Sequence, residues 1–145
     1  MNKSIDTIPE RYRQLPFDEY VARARNLYTK GEIIEAFVVL HGVLEVTMLS
    51  FWSIFVANVL GKLPQDIQFV EWEYNEPVKL YYEFNLITDS QRDIFLDFRK
   101  GRNEAVHYLG KYFNSKIKMK SLNQRFKKGL KAWDIIQEID LYGIQ

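Results

Sequence analysis

Cysteine is absent from the 145 residues, which excludes disulfides, thiolate zinc sites and cysteine nucleophiles and favours an intracellular setting. Net charge is nearly absent too. Twenty lysines and arginines stand against 19 acids, a formal +1, so the totals alone point to neither nucleic acid nor a membrane surface as partner. No apolar run follows the opening Met1-Asn2-Lys3-Ser4-Ile5-Asp6, so the start does not read as a secretory signal. The longest uncharged apolar run, Val46 to Leu60, has 15 residues and falls short of the ~20 that span a bilayer. A cytoplasmic protein with no membrane partner is expected. A phosphate-cradling glycine-rich loop and a serine nucleophile elbow are both missing, so ATP hydrolysis and acyl transfer lack support. Glu71, Glu73 and Glu76 cluster without a histidine, at spacings of two and three residues that fit no ligand scheme, so neither a metal nor another cofactor is expected.

What is present is enough apolar material for one full core: 47% of the residues are hydrophobic and 15% aromatic. The expected organisation is an N-terminal arm, residues 1–16, followed by a single helical domain, 17–145. Strand-like alternation with hairpin signals, internal repeats and low-complexity tracts are not found. Gly31, Gly61, Gly110 and Gly143 each follow a run with helical periodicity, as left-handed C-terminal caps do. They predict a first helix from about Phe17 to Lys30, with Phe17, Tyr20, Val21, Ala24 and Leu27 on one face. The second, about Glu32 to Leu60, is apolar almost all round and should be central. Pro77 sits where a first helical turn tolerates proline and opens a short helix through about Leu86. Thr88-Asp89-Ser90-Gln91 reads as a capping box for a helix to Gly110, with Ile94, Phe98, Gly101, Ala105 and Leu109 inward. Ser121-Leu122-Asn123-Gln124 reads as a second capping box, opening a helix with Leu122, Phe126, Leu130, Trp133 and Ile136 inward. The fold class is all-α, an antiparallel bundle of four main helices plus a short one.

The charge is unevenly placed. Between Phe98 and Trp133 stand eleven lysines and arginines and one acid, Glu104, a local +10; the rest of the chain is therefore 9 minus 18, or −9. A basic surface on one side and an acidic one elsewhere suits a polyanionic ligand, although a solvated lysine-rich loop has the same composition.

Within that basic stretch lies Phe98-Arg99-Lys100-Gly101-Arg102-Asn103-Glu104-Ala105-Val106-His107, late in the predicted fourth helix. Histidine moves a proton near neutral pH, arginine grips phosphate oxygens through its planar fork, and asparagine can orient either one. An arginine followed four to six residues later by histidine arises by chance in roughly a third of chains of this composition. Requiring asparagine directly after the arginine lowers this to about two per cent.

Arg102-Asn103-x-x-x-His107 resembles the motif of the HEPN superfamily. These small helical domains carry an arginine, usually a polar residue, and then a histidine near the end of a late helix. The order of elements is similar as well: an arginine-bearing first helix, then Lys30-Gly31-Glu32-Ile33-Ile34-Glu35-Ala36 leading into a long apolar helix with Glu45, a loop, and the motif helix. The resemblance covers about residues 17–141. It implies a HEPN-like helical-bundle homodimer and, in catalytic members, metal-independent endoribonuclease activity, often as the toxin of a toxin–antitoxin pair beside a nucleotidyltransferase antitoxin. In one toxin branch a tyrosine two places after the histidine is modified by the antitoxin; here that position is Leu109, with tyrosines at 108 and 112.

RNA cleavage by its own 2′-hydroxyl needs a base for that hydroxyl, an acid for the leaving 5′-oxygen, and positive charge on the transition state. One histidine does not easily serve both ends, so a twofold axis bringing two copies of His107 and Arg102 together suits the chemistry. The candidate catalytic residues are Arg102 as anchor, His107 as general acid or base, and Asn103 as orienting group. Candidate RNA contacts are Arg99, Lys111, Lys116, Lys118 and Tyr108, a mixture of cations and aromatics suited to phosphates and bases. Arg99 can equally pair with an acid such as Glu45. His41, one turn before Glu45, reads as a hydrogen-bonded core pair with it, with a catalytic role as the alternative. For Arg102 and His107 the competing reading is a capped helix end with Arg102 solvated. A non-catalytic module that binds a partner protein or nucleotide is the alternative function.

Overall fold

In a computed structural model the described residues are 17–59, 61, 73–111, of which the last four as backbone only, and 119–139. The N-terminal arm, Lys116, Lys118 and Gly143 lie outside them. Five helices make up the described chain: α1 (Phe17–Thr29), α2 (Ile33–Val59), α3 (Asn75–Glu83), α4 (Asp89–Lys111) and α5 (Met119–Gln137). No strand occurs among the described residues. The architecture is the all-α bundle expected, four long helices and one short.

Helix α2 forms the centre because it is apolar on nearly every side, and it touches all four other helices. By length and composition it could cross a membrane. In this fold ten of its residues, among them Phe37, Leu40, Leu44, Met48 and Trp52, are buried among the surrounding helices. Each such side chain removed from water contributes about 1.5–3 kcal/mol before the cost of ordering it. Antiparallel α1 and α5 close one side, joined by the stacked rings of Tyr28 and Phe126 (centroids 4.1 Å apart) and by Gln137 Nε2 donating to Asp18 Oδ1 at 3.3 Å.

Helix ends follow local chemistry. Gly31 adopts φ +85°, and Glu32 N–H donates to the Leu27 carbonyl at 2.9 Å while Gly31 N–H donates to that of Tyr28 at 3.0 Å. This is the left-handed cap expected there. Gly61, at φ +67°, follows α2 in the same conformation. The α4 capping box is formed in both directions: Gln91 N–H donates to Thr88 Oγ1 at 3.2 Å, and Thr88 N–H to Gln91 Oε1 at 2.9 Å.

Three expected boundaries move. Helix α3 stops at Glu83 rather than Leu86, because Asn85 takes φ 59° and the Leu86 and Asn85 amides close onto the carbonyls of Tyr81 and Tyr82 at 2.8 and 3.0 Å. Asparagine substitutes here for the glycine that usually marks such a stop. Ser121 opens no helix, since α5 is already helical at Met119 and Ser121 is its third residue. Helix α4 continues through Gly110 to Lys111 instead of being capped there.

Two glycines set how closely the motif helix packs. A Cβ on Gly129 of α5 would overlap the Phe98 ring and come within 2.8 Å of Leu40 Cδ2. A Cβ on Gly101 of α4 would come within 2.7 Å of Arg125 Cβ and 2.9 Å of Phe37 Cε1. Phe98 therefore lies directly on the α5 backbone, and the inner stripe of α4 is Phe95, Phe98, Gly101 and Ala105, with Ile94 only half-buried.

Candidate functional site

Arg102 continues the inner stripe of α4, being i+4 from Phe98 and i−3 from Ala105, and this makes its side chain half-buried rather than solvated. Its Nη1 donates to Asn103 Oδ1 at 3.1 Å, while its Nε is buried with no hydrogen-bond partner. Asn103 thus orients the arginine. His107, one turn beyond Asn103 and about 140° round the helix from Arg102, is exposed. Arginine and histidine therefore occupy different faces of one helix, the first turned inward and the second toward solvent.

The inward face brings in residues far away in sequence. His41 of α2 stacks on Tyr74, ring centroids 4.5 Å apart and planes 20° from parallel, with Phe98 at 6.3 Å. Its Nε2 is buried and unpartnered, so the expected hydrogen bond with Glu45 does not engage that nitrogen. Burial, then the charges of Arg102 and Arg99, hold the His41 imidazole down at a pKa of about 4. Tyr74 is fully buried and donates its hydroxyl to the Phe95 carbonyl at 3.0 Å. Burial pushes that hydroxyl well above its ordinary pKa, with Arg99 pulling down and Glu45 pushing up.

Arg99 pairs not with Glu45 but with Glu73, its Nη2 lying 3.4 Å from Glu73 Oε2, and its Nη1 is buried without a partner. On the adjoining surface a groove of about 510 Å³ is lined by Asn75, Asp93, Leu96, Asp97, Arg99, Lys100 and Asn103. The structure thus gathers Arg99, Lys100 and Asn103 along one groove, and at one half-buried corner it brings the charges of Arg99 and Arg102 to bear on His41, which stacks on Tyr74.

Part of the basic stretch is neutralised internally. Arg125 is ion-paired with Glu104 and Lys128 with Asp97, tying α5 to α4. Asp97 stands one residue before the basic stretch, so a cut at Phe98 overstates the positive surface. The side chains of Lys111 and Tyr108 are outside the described residues, as are Lys116 and Lys118.

Sequence reasoning missed Tyr74 as the platform for His41 and Glu73 as the partner of Arg99. No local signal distinguishes either, because both acquire their roles from α2 and α4, over twenty residues away. Comparison with known proteins finds no match: no family model, no curated protein and no solved structure aligns with the chain. Any functional reading therefore rests on the motif and its geometry.

Proposed function

We propose that this chain is a metal-independent endoribonuclease of the HEPN type that acts as a homodimer in the cytoplasm. The observation that carries the reading is the arrangement on α4: Arg102 with its guanidinium held by Asn103, and exposed His107 one turn further on. Because the two functional groups diverge around the helix, a cleft between two copies of α4 is the natural place for both to meet one phosphodiester. There the 2′-hydroxyl gives its proton to one His107 as its oxygen attacks phosphorus, and the other His107 protonates the departing 5′-oxygen. The products are a 2′,3′-cyclic phosphate and a free 5′-hydroxyl. Arg102 stabilises the charge on the non-bridging oxygens. A toxin role restrained by a nucleotidyltransferase-type antitoxin fits the same motif.

A second reading, a non-catalytic module binding a protein or nucleotide, is favoured by one observation: Arg102 is half-buried beside His41 and so has a structural use of its own. Labelled RNA incubated in EDTA with wild type and His107→Ala separates the two. Cleavage by wild type alone, with cyclic or 3′-phosphate ends, supports the ribonuclease. No product from either protein across several RNAs, with both folded and dimeric, sinks it in favour of the binding module.

A further inference from the structure

Of the five buried side-chain polar atoms without a hydrogen-bond partner among the described residues, three belong to His41 and the two arginines whose charges act on it: His41 Nε2, Arg99 Nη1 and Arg102 Nε. Proteins pair the great majority of their buried polar atoms, so three exceptions around one stacked imidazole ask for a polar group that meets them. Each guanidinium is tied by only one other nitrogen, Arg99 to Glu73 and Arg102 to Asn103. The Glu73 carboxylate is the weaker tie, since its side chain is 76% exposed and 3.4 Å away. An exposed pair of that kind exchanges readily for another anion.

We propose that Arg99, Arg102 and His41 form a subsite for one phosphate group of the RNA backbone, and that the Glu73 carboxylate holds Arg99 at its mouth until a phosphate takes its place. The proposal deepens the ribonuclease reading and rests on it for the identity of the ligand. The charges facing this corner are Glu45 from α2, Glu73 ahead of α3, and Arg99 and Arg102 from α4, with Tyr74 uncharged between them. Of the acids of the neighbouring groove, Asp97 is ion-paired with Lys128, and Asp93 stands 3.8 Å from Arg92 in an exposed pair. Once Glu73 is displaced, two guanidiniums face one carboxylate, a net +1 that the single charge of a phosphodiester neutralises. A phosphate there also offsets the arginine charges that add to burial in keeping His41 neutral, so protonation of the imidazole becomes easier and its Nε2 can serve as a third donor. Phosphate binding is therefore coupled to proton uptake as pH falls toward the His41 pKa of about 4.

The test uses the whole chain and a 2′-O-methyl RNA octamer, which lacks the attacking hydroxyl. Glu73→Gln, an exposed change that leaves the fold intact, should tighten octamer binding by about two- to fivefold, the range an exposed pair is worth. Arg99→Gln should weaken it about tenfold or more, the range of a charge-assisted contact. In wild type the His41 ring titration followed by NMR should move up from about 4 when the octamer is bound. Unchanged or weaker binding by Glu73→Gln overturns the proposal, as does a His41 titration indifferent to RNA. If wild type cleaves ordinary RNA while these tests fail, the subsite is wrong and the ribonuclease stands. If they succeed and no RNA is ever cleaved, the phosphate subsite stands without the ribonuclease.

Discussion

His41 makes the stability of this protein sensitive to mild acid. In the folded chain its imidazole stays neutral down to about pH 4, because burial and then the charges of Arg102 and Arg99 oppose protonation. In the unfolded chain it takes a proton at about 6.5. Below that pH the unfolded state binds more protons than the folded one, so stability is complete above about pH 6.5 and falls as pH drops toward 4. At pH 5 the difference works out to about 2 kcal/mol, or about 1–2 kcal/mol once solvent reaching part of the ring is allowed for. Urea unfolding of wild type and His41→Gln at pH 7.5 and 5.0 isolates this contribution. Carboxylates titrate in both proteins and cancel in the difference of differences, as does any fixed cost of the substitution. Wild type should lose about 1–2 kcal/mol more than the variant between the two pH values. Equal losses in the two proteins would show that the imidazole is not held neutral by this corner, and the electrostatic argument would fail with it.

Gly129→Ala should destabilise the fold by about 1–3 kcal/mol in chemical denaturation despite its better helix propensity, since the new methyl meets the Phe98 ring and Leu40; an unchanged midpoint would refute the close packing of α4 on α5. Thr88→Ala should cost about 1 kcal/mol through loss of the α4 cap, read from the same unfolding curves. Asn85→Ala places a Cβ-bearing residue without a helpful side chain at φ 59° and should cost about 1 kcal/mol, whereas Asn85→Gly should cost nothing. If RNA is the ligand, log affinity should fall linearly with log salt, and Arg99→Gln should make the slope shallower by about 0.7 for each single-strand phosphate that the arginine neutralised.

Most of the fold was legible because it is written locally. The apolar character of Ile33 to Val59, the caps at Gly31 and Gly61, and the paired Thr88 and Gln91 all act within a turn or two of where they stand. Sequence and structure part where a different residue does a familiar job or where a familiar residue has none. Asn85 ends α3 in the conformation usually given to glycine, and Ser121 is an interior helical residue although it heads a capping-box pattern. Periodicity also favours Ile94 over Phe95 for the core, because the two are adjacent at the edge of the stripe; in the structure Phe95 is the fully buried one, and its carbonyl accepts from the Tyr74 hydroxyl.

The candidate site divides in the same way. Arg102, Asn103 and His107 were visible because their spacing lies on one helix, and that spacing also fixes the divergence of arginine and histidine. What the string of residues does not contain is the other half of each charge. Whether Arg99 faces Glu45 or Glu73, and whether His41 faces an acid or two arginines, depends on how α2, α3 and α4 cross, which is settled by packing around Phe37, Phe98 and Gly129. The outcome reverses the sign of the expectation for His41: a partner carboxylate would have raised its pKa, whereas burial and then two guanidiniums lower it to about 4. A neutral imidazole with an unpartnered buried nitrogen, close to two arginines that each leave a buried nitrogen unpartnered, is costly to keep for packing alone. The polar residues at this corner are accordingly the ones whose replacement separates a folding role from a functional one.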